Sequence, residues 1–318
     1  MTTRPEPSLA EGYYRIGGLT VASALALPGS LEADGTAPDV QIRREAGLPA
    51  MLADASAQGP NWSVAGDRIL MDIPGVARFL VTGGREIAVE GAAAVAEADI
   101  AGFVQSSAMR VLLHQRRQMT LRASAIAVEN VAALLCGPPG VGKSTLAAAL
   151  VARGHDFFSD DLCAVRTDAR GVPILAPDGA TLRLWAPAID ALGLADRRSA
   201  PLRAGFQKFH VEPDRIARAS ELPILAIYMV READAAGPPG IVALPIGDAA
   251  MLLRRNAHGF HLAARTGGSA SLFEQAATLQ QRVPMFGLAR STSFATLAET
   301  AGRLDAHMRA LGRARAAA

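Results

Sequence analysis

Gly137 to Thr145 reads Gly-Pro-Pro-Gly-Val-Gly-Lys-Ser-Thr, and this segment constrains the fold more than any other. It fits the G-x-x-x-x-G-K-[ST] pattern, which needs a strand on one side and a helix on the other. Both flanks comply. Val131 to Cys136 is an apolar run that reads as a buried strand, and Ser144 to Arg153 is an Ala/Leu-rich helix stopping at Gly154. Glycines let the backbone wrap an anion closely, so that successive N–H groups and the helix N-terminus point at phosphate oxygens. On this reading Gly137, Gly140, Val141, Gly142, Lys143, Ser144 and Thr145 bind nucleotide. Lys143 reaches the β/γ-phosphates, and the Ser144 hydroxyl completes a Mg²⁺ shell. The ligands expected are ATP and Mg²⁺. The competing reading is a plain glycine turn.

At 318 residues the chain is long for one domain and comfortable for two. Hydrophobic residues make up 50%, but much of this is alanine, so it does not argue for membrane insertion. The net charge of +2 comes from mixed signs without a Lys/Arg block, which excludes nucleic acid as the expected partner. No apolar run reaches spanning length. Leu19 to Leu27 faintly resembles a signal-peptide core, but Glu6 and Glu11 precede it and no basic cluster opens the chain, so the expected compartment is the cytoplasm. The two cysteines, Cys136 and Cys163, lie in apolar strand-like segments and read as reduced, buried thiols on neighbouring strands.

Met1 to Glu11 is polar and reads as loose. From Tyr13 to about Gly91, alternating Ile69, Met71 and Ile73, the apolar Val76 to Val81, and turns at Pro74-Gly75 and Gly83-Gly84 predict a small antiparallel sheet. A helix follows over roughly Glu97 to Arg117, with Ile100, Val104, Ala108, Val111 and Leu112 on one face. Leu121 to Val128 and Val131 to Cys136 form a hairpin bent at Glu129-Asn130. Phe157 to Arg166, Lys208 to Val211, Ile224 to Val230, Ile241 to Ile246 and Val283 to Leu288 are further strands, with a turn at Gly237 to Gly240 and a final helix, Ser293 to Leu311. The expected class is α/β: a β-rich N-terminal domain over residues 1–96 and a phosphate-loop catalytic domain over 97–318.

Asp160 and Asp161 are the second constraint. Common nucleotide hydrolases place the Mg²⁺-organising Asp at the end of a strand well downstream, yet here that strand ends in Arg231-Glu232. The paired acids instead end the strand after the loop's own helix. Because a strand alternates its side chains, one acid can face the phosphates and the other the opposite side. A carboxylate there can hold Mg²⁺ or accept a hydroxyl proton, and a positioned base contributes about 10²–10⁴-fold. The competing reading is a solvated Asp-Asp turn.

With Arg153-Gly154-His155 and Asp160-Asp161 spaced in this way after the loop helix, the stretch from Arg122 through Asp161 resembles the catalytic core of the HPr serine kinase/phosphorylase family. The resemblance extends loosely over Leu121 to Leu288. It implies a phosphate-loop core of the type shared with phosphoenolpyruvate carboxykinase. It also implies Asp160 as catalytic base and, with Ser144, as metal ligand, and Asp161 as its Mg²⁺ or structural companion. Where the family has a histidine this chain has Arg122, which would keep Asp160 ionised by charge attraction. Lys208 stands where relatives carry a basic residue near the phosphates, with a surface lysine on an edge strand as its bland reading. The family's glycine-rich phosphorolysis segment is not recognisable. Tyr13 to Leu27 and Asp39 to Arg43 look more like the HPr-kinase-like enzymes of peptide biosynthetic clusters, the lasso-peptide kinases among them. The implied function is a kinase acting on a serine of a precursor peptide. The alternatives are an HPr protein kinase/phosphorylase, a small-molecule kinase, or a nucleotide-binding regulator without transferase activity. Homo-oligomerisation is left open.

The weaker candidates have stronger bland readings. Arg183 reads as a packed stem, Arg254-Arg255 as a solvated face, and Trp62 and Trp185 as core or cleft packing. His258 and His261 lie a turn apart on a predicted helix, but no third ligand is within reach by sequence.

Overall fold

The computed structural model describes residues 12–35, 37–233, 240–257, 266 and 268–317. Met1 to Glu11, most of the Gly237 to Gly240 turn, His258 and His261 lie outside these residues.

The N-terminal region is a nine-stranded sheet in the order 31–32, 12–16, 19–23, 40–44, 86–91, 77–82, 68–73, 62–65, 57–59. Its hairpins obey local chemistry. Ile16 pairs with Leu19 across Gly17-Gly18, both at positive φ, as a two-residue turn matched to strand twist requires. Along strand Ala77–Thr82, Ala77, Phe79 and Val81 are buried and the intervening residues are half-exposed. The sheet is larger than expected and is not purely antiparallel. Strand Val40–Arg44 runs parallel to both Leu19–Ser23 and Glu86–Gly91. Such pairings join residues distant in sequence and leave no local turn signature.

Helix Glu97–Phe103 continues through a π-helical segment, Val104–Ala108, into helix Met109–Gln115. Ile100, Val104, Ala108, Met109 and Leu112 are buried in one core with Val21, Ile42, Phe79, Val81 and Ile87, so this helix packs with the sheet that precedes it.

The second sheet runs Asp156–Asp160, Ala123–Val128, Val131–Cys136, Leu222–Glu232, Met285–Arg290, Gly240–Ala243. A ribbon of Pro173–Ala176, Cys163–Thr167 and Met119–Leu121 joins it at Leu222 and Pro223. Val131–Cys136 is apolar throughout because both faces are covered. Ala133 and Leu135 pack with helices Lys143–Val151 and Leu297–Ala316, while Leu134 and Cys136 pack with helices Ile246–Asn256 and Ser269–Arg282. The result is a three-layer α/β arrangement. A three-stranded sheet, Leu182–Trp185, Lys208–Val211, Arg198–Pro201, flanks it and shares its first core through Leu182, Leu184 and Val211.

Several expected elements shift. The strand expected over Phe157 to Arg166 is two strands, broken at Asp161, whose φ of 83° is left-handed. The strand expected over Ile241 to Ile246 ends at Ala243, and Ile246 opens a helix. The last strand starts after Pro284, which cannot donate to a ladder. Cys136 and Cys163 are free and buried, but their strands are not neighbours in the sheet. Burial pushes the Cys136 thiol up to about 12, so it is inert. Among the described residues no helix is long and apolar enough to cross a membrane.

Leu304 is fully buried where the C-terminal helix meets the loop helix. Leu304→Ala should lower stability by about 2–5 kcal/mol in urea unfolding, because the sheet beneath it cannot collapse into the gap.

Candidate functional site

The loop between strand Val131–Cys136 and helix Lys143–Val151 is shaped by three glycines at positive φ, Gly137 at 149°, Gly140 at 84° and Gly142 at 87°. Gly137 is also closed to a side chain by neighbouring backbone, and at Gly142 a side chain would have to displace the Arg290 guanidinium. A Cβ on Gly137 would lie 2.4 Å from the Val230 carbonyl, and one on Gly142 would lie 2.4 Å from Arg290 Nη1. Arg290 ends strand Met285–Arg290, two along the sheet from the loop's strand, and donates to the Gly142 carbonyl at 3.3 Å, fastening the loop's back. Lys143 Nζ donates to the Gly137 and Pro138 carbonyls at 2.9 and 3.0 Å, so its ammonium curls over the loop. Burial lowers the Lys143 pKa, against the pull of Asp160.

Asp160 is buried at the end of its strand. Its Oδ1 accepts from Ser124 Oγ at 2.6 Å and Ser144 Oγ at 2.9 Å, and its Oδ2 accepts from the Arg183 N–H at 2.8 Å. Ser124 lies opposite Asp160 in the pairing of the two strands, which is why their side chains meet. Asp161 does not alternate across the strand as expected. The left-handed turn swings its carboxylate to Arg110, 2.5 Å away on helix Met109–Gln115, and to Arg183 Nη1 at 3.4 Å. Burial would raise its pKa, but Arg110, Arg183, Lys208 and Arg122 outweigh burial and hold it near about 2.

Arg183 is the hub, not the packed stem expected from its apolar neighbours in sequence. Its Nη1 donates to the Asp160 carbonyl at 2.9 Å, and its Nη2 meets Asp178 Oδ2 at 3.2 Å. Asp178 is buried, and its Oδ1 accepts from Ser159 Oγ at 2.6 Å and from the Asp160 N–H at 3.1 Å. Burial raises the Asp178 pKa, with Arg183 opposing. Lys143, Arg110, Arg122, Arg183 and Lys208 thus outnumber the three carboxylates they act on, and the site is electropositive.

Arg122 makes no direct contact with Asp160. Among the described residues its side chain forms no hydrogen bond or ion pair, although its charge acts on Lys143 and Asp161. It projects a cation beside the loop. Arg110 Nε is likewise buried with no hydrogen-bond partner. Lys208 is half-buried and acts on Asp161. Thr145 and Val141 lie in the first helical turn and the loop respectively, Val141 buried. Trp62 is half-buried on its strand, and Arg254 and Arg255 are exposed.

The donors fit a nucleotide with its cation. The loop's glycines at positive φ turn the backbone tightly before the helix start, the surroundings carry excess positive charge, and a hydroxyl and a carboxylate adjoin there. No group of three or more His, Cys, Asp or Glu that could hold a metal occurs among the described residues. Mg²⁺ takes one or two carboxylates and completes its shell with water and phosphate, and Asp160 beside Ser144 could supply the protein's part.

Arg110, Ser124, Asp178 and Arg290 belong to the site without belonging to any motif. Of these, only Ser124 has a usable sequence signal, its place opposite Asp160 in a hairpin-plus-strand register.

A cavity of about 240 Å³ opens beside Asp161 and Arg183, lined further by Gln105, Trp185, Phe206 and Lys208.

No family model matches the chain, and no curated protein matches it. Among solved structures the chain is similar to the Hpr(Ser) kinase/phosphatase from Coxiella burnetii, at 12% identity and a TM-score of 0.35, over 62% of this chain and 95% of that one.

The depressed Asp161 pKa has a stability consequence. Its folded value lies below the ordinary 3.8, so the ionised carboxylate stabilises the fold fully above about pH 4 and loses that contribution as pH falls towards 2. In urea unfolding the gap between the native protein and Asp161→Asn should be widest near neutrality and should close in acid.

Proposed function

We propose that this protein is an ATP- and Mg²⁺-dependent kinase that transfers a phosphoryl group to a serine of a peptide, with a biosynthetic precursor peptide as acceptor. The observation that carries the reading is the meeting of Ser144 Oγ and Asp160 Oδ1 at 2.9 Å, beside a loop whose three glycines all adopt positive φ. A hydroxyl and a carboxylate joined at the first turn of such a helix form the protein's share of a Mg²⁺–phosphate site. The precursor-peptide acceptor is supported by the sequence resemblance to lasso-peptide kinases.

In this reading the loop N–H groups and Lys143 hold the β/γ-phosphates, and Ser144 with Asp160 holds Mg²⁺, which would neutralise charge building on the phosphate oxygens. Asp160 adjoins Ser144, which assigns it to the metal in this reading. Asp161 faces the cavity and is the carboxylate an acceptor would meet. The serine oxygen attacks the γ-phosphorus, the bond from that phosphorus to the β–γ bridging oxygen breaks, and ADP leaves with the electron pair. The hydroxyl proton passes to Asp161 and then to water. With a pKa near about 2, Asp161 is a weak base. A loose transition state, in which positioning and charge neutralisation dominate, asks for little more.

Arg122, lacking an internal partner among the described residues, is positioned for the nucleotide's phosphates. Arg122→Gln should therefore weaken Mg·ATP binding more than it slows turnover at saturation. If turnover falls while affinity holds, Arg122 serves the carboxylates instead. Lys143→Ala should weaken Mg·ATP by about 10–100-fold in calorimetric titration, the loss of one charge-assisted contact of roughly 1.5–3 kcal/mol.

Asp161→Asn should leave Mg·ATP affinity within about threefold while transfer falls about 10²-fold. Asp160→Asn should also raise the Mg²⁺ concentration needed for half-maximal rate. The acceptor class is tested by mass spectrometry after incubation with ATP, Mg²⁺ and a serine-containing precursor peptide encoded beside the kinase gene. A gain of phosphate supports the reading. An unmodified peptide alongside efficient phosphorylation of HPr protein supports the protein-kinase alternative, and ATP binding without transfer to either supports a regulator.

A further inference from the structure

Strand Leu182–Trp185 alternates. Leu182 and Leu184 are buried, so Arg183 and Trp185 face the other way, Arg183 onto the carboxylates and Trp185 outward, 48% exposed. The loop that returns from strand Arg198–Pro201 to Lys208 carries Phe206, 45% exposed, whose ring centroid lies 5.8 Å from that of Trp185. Two large aromatic rings left this bare need a reason to hold their places, and the structure supplies one. The Arg203 guanidinium stacks over Phe103 at 4.1 Å and lies 5.6 Å from the Phe206 centroid. The Ala204 N–H donates to Asp99 Oδ1 at 2.9 Å. The loop is thereby fastened to helix Glu97–Phe103.

Between these walls lies the 240 Å³ cavity. Its inner end is polar, formed by the part-buried Asp161 and Arg183 and the buried His210, with Lys208 beside them. His210 is neutral near pH 7, its pKa lowered to about 4 by burial and by Arg183 and Lys208. Its outer rim is Trp185, Phe206 and Pro201, all exposed. One side is the π-helical segment, through Gln105 and Ser106, and Gln105 is locked by donating to the Pro28 carbonyl at 2.9 Å and Ser30 Oγ at 2.8 Å. Pockets for whole small molecules run to about 300–1,000 Å³. This one is smaller and has room for side chains, with the rest of the ligand lying outside over the rim.

We infer that this cavity is the acceptor site and that it selects serine peptides carrying a large apolar or aromatic residue next to, or one removed from, the serine, with that side chain held against Trp185 and Phe206. The inference rests on the kinase reading above and deepens it. The serine hydroxyl enters the polar inner end, where Asp161 connects the cavity to Ser144 through the adjoining Asp160. The neighbouring apolar side chain removes the exposed ring faces from water. Such recognition needs only a short extended segment.

The test uses capped serine peptides of Gly-Ala background, varied one position at a time around the serine, with labelled ATP and Mg²⁺. Peptides with Phe, Tyr, Trp, Leu or Met beside the serine should give kcat/KM about tenfold or more above the all-Ala background, the effect of burying one such side chain. In Trp185→Ala/Phe206→Ala that preference should shrink to within about twofold through KM, with Mg·ATP affinity unchanged as the control for folding. A second readout does not depend on turnover. In a Trp62→Phe background, Trp185 emission should shift on adding a peptide with Ala in place of serine and Phe beside it. Equal rates across all neighbours, or a preference that survives the double variant, overturns the inference while leaving the kinase reading intact. No phosphorylation of any peptide, together with a Trp185 shift specific to apolar peptides, overturns the kinase reading and keeps the cavity as a peptide site. Loss of both overturns both.

Discussion

One arginine ties three acidic residues together, its guanidinium on the Asp161 and Asp178 carboxylates and on the Asp160 main-chain carbonyl. Arg183 touches Asp160, Asp161 and Asp178, and its own N–H completes the shell of Asp160. Buried charge of this density is tolerable only when fully paired, and removing one partner of such a set typically costs about 3–5 kcal/mol. The pairing also has direction. Asp160 comes from the central sheet, Asp178 from the turn after the joining ribbon, Arg183 from the three-stranded sheet, and Asp161 is handed on to Arg110 of the helix that packs on the N-terminal sheet. The central sheet, the three-stranded sheet and that helix meet at this cluster. The proposed nucleotide site and the proposed acceptor cavity lie on either side of it.

The glycine loop depends on the same logic from its other side. Its strand is buried on both faces, so the backbone leaving Cys136 has a fixed position and heading. Val230 and Arg290, at the ends of the two adjoining parallel strands, then press on Gly137 and Gly142. The loop is moulded by the sheet edge behind it as well as by its own glycines. Its N–H groups are thus arranged before any ligand arrives, which lowers the ordering cost of binding an anion.

Much of this is legible in the sequence because it is local. The strand–loop–helix unit, the hairpin at Glu129-Asn130 and the strand Lys208–Val211 rest on short-range patterns, and Glu129 adopts the positive φ that a tight bend requires. The meeting of Ser144 with Asp160 is legible too, since the motif supplies one and the spacing supplies the other. The rest of the acid pair is not. Alternation predicts Asp161 on the opposite face of a continuous strand, but the chain turns left-handed there, and the ion pairs with Arg110 and Arg183 hold that turn. Neither partner is near in sequence. Arg110 sits in a helix whose apolar face dominates its pattern, and Asp178 lies between Pro177 and Gly179, where a turn accounts for it sufficiently.

The N-terminal sheet looks remote from the carboxylate cluster, yet it seats the helix that borders the proposed acceptor cavity. Its inner face buries Ile100, Val104, Ala108, Met109 and Leu112, which fixes the rotation of the covering helix. With that face committed to the core, Arg110 is left to reach Asp161, and Gln105 and Ser106 border the cavity. The π-helical segment falls between these two duties. A straight α-helix spaces its faces at 3.6 residues, and the wider π turn rotates the C-terminal half of the helix relative to the N-terminal half. One helix can therefore give Phe103 to the Arg203 clasp and Arg110 to the carboxylate cluster without lifting its apolar residues off the sheet. A change in how the sheet seats this helix would move the Asp161 carboxylate and the cavity wall together. Acceptor geometry is thereby tied to a core that contains no catalytic group.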